Sequence, residues 1–108
     1  YEIERYTDVN NRGTAVLLEA LLQHRVERLV VASSMSIYGE GLYRLGATIV
    51  QPAPRSREQL LAGRWEVEQH GEVLEPVPTP EAKQPVPSSV YALSKYDQEK
   101  MCLICGGA

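Results

Sequence analysis

Tyr91 and Lys95 stand four residues apart in the run Ser89-Val90-Tyr91-Ala92-Leu93-Ser94-Lys95. The run reads as the opening turns of a helix, which puts phenol and ammonium on one face, roughly 5–6 Å apart at Cβ. A cation in that place stabilises phenolate, so a group with a reference pKa of about 10 can work near neutral pH. A tyrosine so placed is a general acid/base for protons on hydroxyl or carbonyl oxygens. Ser34 supplies a second hydroxyl, at the end of an apolar run, where it can hydrogen-bond the same substrate oxygen.

The elements that must hold these groups follow from periodicity. Residues 8–24 predict a helix, capped by Thr7 or Asp8, with Val9, Gly13, Val16, Leu17, Ala20 and Leu21 at helical spacing. Leu18 and Leu22 widen its apolar surface, which predicts burial on two sides. Leu29 to Ala32 is a continuous apolar run with a β-branched centre, the pattern of a strand covered on both faces in a parallel sheet. Ser88 or Ser89 caps a second long helix to about Cys105, and Pro85 and Pro87 keep the chain before it extended.

Between them lies a stretch of different character. All seven prolines fall between residues 52 and 87, amid polar, irregular text. Arg57 to Ala62 predicts a short helix, and Trp65–Gln69 with Glu72–Glu75 around His70-Gly71 a small hairpin. Residues 40–87 therefore read as a long irregular insertion, of the kind that serves as a lid or binding loop. Its arginines (Arg44, Arg55, Arg57 and Arg64) read as solvated, with contact to a diphosphate as the alternative.

Composition narrows the classes. An apolar fraction of 44% and a charged fraction of 23% are those of a globular protein, and a net charge of −3 without a basic stripe argues against nucleic acid as the main partner. No apolar stretch approaches the roughly 18 residues of a membrane span and no signal-peptide pattern opens the chain, so the expected location is cytoplasmic. Cys102 and Cys105 lie near the end of an apolar helix with no second ligand pair, and read as small core or interface residues; no metal site is expected. The chain opens on Tyr1 and closes on Gly106-Gly107-Ala108, and one strand cannot make a sheet, so it reads as a piece of a longer chain.

Three signatures stand in order. They are Asn10-Asn11-Arg12-Gly13-Thr14 with Leu17-Leu18-Glu19-Ala20, Ser33-Ser34-Met35-Ser36-Ile37-Tyr38-Gly39, and Tyr91-Ala92-Leu93-Ser94-Lys95. In these the chain resembles the extended short-chain dehydrogenase/reductase family, the NAD-dependent epimerases and dehydratases of nucleotide sugars. The resemblance implies an α/β fold: residues 1–108 as part of a doubly wound, NAD(P)-binding Rossmann-type sheet. It implies Tyr91 as catalytic acid/base, Lys95 as the lysine on the nicotinamide ribose, and Ser34 as the hydroxyl that orients substrate. It further implies cofactor contacts from the backbone at Ala32 and Ser33 and from Asn10. NAD is the implied cofactor, a nucleotide sugar the implied substrate, and a homodimer through the two long helices the implied assembly.

The family's Gly-x-x-Gly-x-x-Gly turn, its acidic residue after the second strand and its C-terminal substrate part are all absent from this sequence. The reading is thus a fragment of a nucleotide-sugar epimerase acting by transient oxidation at a sugar hydroxyl. A dehydratase or reductase of the same family is the alternative. Dehydratases of the family usually carry Asp-Glu after the strand-end hydroxyl, where this chain has Met35-Ser36. A truncated, catalytically inactive product is the alternative of another class.

Overall fold

The computed structural model describes residues 2–107, which divide into two units: one from both ends of the chain, through Gly39 and from Pro85, and one of Glu40–Gln84. The architecture is mixed α/β, and every strand pairing among the described residues is antiparallel.

In the first unit, α1 (Ile3–Tyr6), a π-helical segment (Thr7–Arg12) and α2 (Gly13–Gln23) run as one continuous helical path, since the linking residues keep right-handed helical backbone. The path begins earlier than predicted, and Thr7 and Asp8 do not cap it. Thr7 Oγ1 donates back to the Ile3 carbonyl at 2.9 Å, and Asp8 accepts from Arg12 one turn on at 2.9 Å, so both side chains serve the helix from within. Thr14 and Leu18 are buried, while Val16, Leu17 and Leu22 are exposed, so the predicted two-sided burial is not met among the described residues.

The predicted strand at Leu29–Ala32 is corrected. These residues form no ladder, and Val30 is 85% exposed. An apolar run records a preference for burial, but a strand also needs a neighbour to hydrogen-bond, and none lies alongside among the described residues.

Ser34 instead caps a 3₁₀ turn at Met35–Tyr38, its Oγ accepting from the Ser36 amide at 3.2 Å. Ile37 is buried beneath it, and its carbonyl accepts from the Val86 amide at 2.9 Å. Gly39 follows with φ +65° and ψ −137°, so close to Val86 that a Cβ would sit 2.3 Å from its carbonyl oxygen. Only glycine suits that backbone and that approach.

From Val86 the chain runs into α4 (Val90–Gly106). Ser89 caps it, accepting from the Ala92 amide at 3.1 Å, as the prolines before it predict. Small buried residues, Ala92, Ser94 and Cys102, face its neighbours, while Cys105 is exposed. Three side-chain bonds join it to the first helical path. Asn10 Nδ2 donates to Ser94 Oγ at 2.9 Å, Asn11 Nδ2 to Asp97 Oδ2 at 2.7 Å, and Gln98 Nε2 to Thr14 Oγ1 at 2.7 Å. Partners ascend together along both chains, so the two helices run parallel. The wide π turn carries two consecutive residues, Asn10 and Asn11, that both reach α4.

The second unit is more ordered than its composition predicts. β1 (Leu42–Leu45) pairs on one side with β2 (Thr48–Val50) and on the other with β5 (Glu75–Val77). Gly46, at φ +59°, opens the two-residue turn from β1 to β2. The predicted helix is α3 (Arg57–Leu61), capped by Ser56. The predicted hairpin is β3 (Glu68–Gln69) with β4 (Glu72–Val73); His70 and Gly71 both take positive φ, the form that matches strand twist. Val67 and Leu74 form its small core.

Arg55 in this unit is not a free solvated arginine. It donates to Glu40 Oε2 at 3.1 Å and to the Trp65 carbonyl at 2.8 Å, while Tyr43 donates to Glu40 Oε1 at 2.9 Å. Burial, then the bond to Glu40, pushes the Tyr43 phenol above its ordinary pKa.

Candidate functional site

The first unit brings the ends of two sequence signatures to one place. The bond from the Val86 amide to the Ile37 carbonyl fixes the chain three residues past Ser34 to the chain three residues before Ser89. Gly39 permits that approach, and the Ser89 cap then fixes where α4 begins.

Tyr91 lies in the first turn of α4, with Lys95 one turn on, on the same face. The Tyr91 side chain is partly exposed, and its ring meets that of Tyr6 edge-on, with centroids 5.5 Å apart and planes at 61°. Among the described residues its hydroxyl has no hydrogen-bond partner, and the Lys95 ammonium has no ion-pair partner. Both polar ends are therefore available to a ligand. A shallow open cleft of about 360 Å³ is lined by Glu2, Ile3, Tyr6, Ser89, Val90 and Tyr91.

Ser34 Oγ is engaged as an acceptor in its cap, which leaves its own proton free to donate. Ser33 Oγ is buried without a partner, and Ala32 stands in the irregular stretch before it. Asn10 is turned to α4, where Ser94 Oγ accepts its amide and itself donates to the Tyr91 carbonyl at 2.9 Å.

Two contributors escaped the sequence reading. Ser94 sits inside the Tyr91–Lys95 motif, and a small hydroxyl within a predicted helix, between the two motif residues, was the signal available for it. Tyr6 has no local signal, because its partner lies at the other end of the chain. Among the described residues no three His, Cys, Asp or Glu side chains gather as metal ligands, and no helix is long and apolar enough to cross a membrane.

Comparison with known proteins gives these residues a setting. A dTDP-L-rhamnose 4-epimerase of Burkholderia thailandensis is 37% identical over 101 residues, covering 91% of this chain and 27% of the relative. The chain thus spans about a quarter of the length of the curated relative it matches. No solved structure matches it. The model of the NAD dependent epimerase/dehydratase family matches residues 1–60, and these include Asn10, Ala32, Ser33 and Ser34. The chain belongs to the NAD dependent epimerase/dehydratase family.

Proposed function

We propose that the chain supplies the acid/base segment of a nucleotide-sugar epimerase that uses NAD. One observation carries this reading. A capped helix presents Tyr91 and Lys95, both with free polar ends, and its start is tied by backbone to the turn that Ser34 caps.

The donor set fits the nicotinamide-ribose end of a dinucleotide. Lys95 offers an ammonium to ribose hydroxyls, and the backbone at Ala32 and Ser33 would flank the nicotinamide, with the orphaned Ser33 hydroxyl as a further donor. Asn10 acts on that site through Ser94, holding α4 in place. The cofactor, when bound, supplies the hydride acceptor and donor. Tyr91 accepts the proton of the sugar hydroxyl as the alcohol becomes a ketone, and returns it when the other face is reduced. Ser34 donates to the same oxygen.

The relative's name brings a dTDP-linked deoxysugar, and epimerisation at C4, as the substrate and position proposed for the intact protein. Met35 and Ser36 place no carboxylate beside Ser34, which favours epimerase over dehydratase chemistry. In the full-length protein that contains this chain, Tyr91→Phe should lower kcat on dTDP-L-rhamnose by about 10²–10⁴-fold, the span of a lost general acid/base, with NAD affinity unchanged. Wild-type turnover by that variant would remove Tyr91 from the chemistry.

A further inference from the structure

We propose that Tyr6 is a positioning residue, whose ring holds Tyr91 in the one rotamer that presents its phenol to the cleft. The proposal rests on the reading of Tyr91 as acid/base.

The backbone and the ring of Tyr91 are held by different means. Its carbonyl accepts from Ser94 Oγ, which accepts in turn from Asn10, so the main chain is fixed through the parallel helix. Its ring has no such tie. The residue is 37% exposed, its hydroxyl bonds to nothing among the described residues, and its position in the first turn of α4 leaves no preceding turn to pack against. The Tyr6 ring is the aromatic partner, at 5.5 Å and 61°, within the spacing and inclination of a favourable edge-to-face pair. That contact grips the ring and leaves the oxygen free, whereas a hydrogen bond would immobilise the phenol by occupying it.

The placement of Tyr6 supports the same role. It ends α1 immediately before the π turn, one turn ahead of Asn10, so one stretch of helix supplies both the ring contact and the tie through Ser94. Tyr6 also lines the cleft beside Tyr91, so its loss opens the space into which the Tyr91 ring would swing. An edge-to-face pair is strong enough to alter the population of the productive rotamer by about two- to tenfold.

The test uses the full-length protein, with Tyr6→Leu removing the ring and Tyr6→Phe keeping it. Three-bond ¹³Cγ couplings report the Tyr91 χ1 population without substrate. They should show one rotamer in wild type and Tyr6→Phe, and averaging in Tyr6→Leu. Turnover of dTDP-L-rhamnose should follow, with kcat down about two- to tenfold in Tyr6→Leu, KM unchanged, and recovery in Tyr6→Phe. Where Leu does not fold, Tyr6→Met removes the ring with a longer, more adaptable side chain of similar volume to Leu. Wild-type couplings in the ringless variant overturn the proposal, as does a Tyr6→Phe variant as impaired as Tyr6→Leu. Tyr91→Phe separates the two ideas: if it turns over normally, the acid/base reading fails while the couplings still report on Tyr6.

Discussion

Replacing Gly39 by alanine should cost about 2–4 kcal/mol, and the cost should appear at the start of α4. At φ +65° and ψ −137° the residue occupies backbone space that is almost glycine's alone, a strain of about 1–3 kcal/mol for any other residue. The added Cβ would stand 2.3 Å from the Val86 carbonyl oxygen, and backbone cannot swing aside as a flexible side chain can. Relief requires the Pro85–Val86 segment to retreat, which stretches the 2.9 Å bond from the Val86 amide to the Ile37 carbonyl, worth about 0.5–1.5 kcal/mol net. Urea unfolding of the full-length protein checks the magnitude, through a lower midpoint at unchanged slope. Gly41→Ala is the control, since its Cβ would meet only Thr79 Oγ1, at an ordinary 3.8 Å. A Gly39→Ala variant within about 0.5 kcal/mol of wild type, the usual scatter of harmless surface changes, would refute the claim that this approach is tight.

Two further outcomes can be measured in the same protein. Ser94→Ala removes both the bond to the Tyr91 carbonyl and the acceptor for Asn10 at a residue only 3% exposed, so unfolding should show a loss of about 1–3 kcal/mol; a neutral result would mean that water replaces both partners. The raised pKa of Tyr43 means that its neutral, hydrogen-bonded form is favoured in the fold. Its contribution is therefore complete below the ordinary tyrosine value of about 10 and is lost as pH rises through the higher folded value. Trp65 fluorescence, followed into alkali, should show that loss, and Tyr43→Phe should flatten it; an unchanged profile in the variant would assign the transition to another group.

Elements with local signals were legible in the sequence. Ser89 after two prolines gave the start of α4, and His70-Gly71 gave the β3–β4 turn, because caps and left-handed turns are written in adjacent residues. The sheet of β1, β2 and β5 was not legible. β5 is a short edge strand containing Pro76, and its partner Tyr43 is far away in sequence, so no periodic run announces the pairing. The apolar run at Leu29–Ala32 misled in the opposite way, since it states what the residues prefer and not whether a neighbour is present. Thr7 and Asp8 look like caps, but the helix upstream absorbs them. At the candidate site, Tyr91, Lys95 and Ser34 stood out by motif. Tyr6 did not, because a ring contact across the whole chain leaves no mark on spacing.

The bond between Val86 and Ile37 also bears on chain entropy. The segment from Glu40 to Gln84 departs and returns at points held one hydrogen bond apart, and the pairing of Leu42 with Val77 between β1 and β5 closes it a second time from within. Each doubling of such a closed segment costs only about 0.6 kcal/mol. Residues can be gained in the exposed turns of that segment at small cost in closure entropy, while a single added carbon at Gly39 is felt at once.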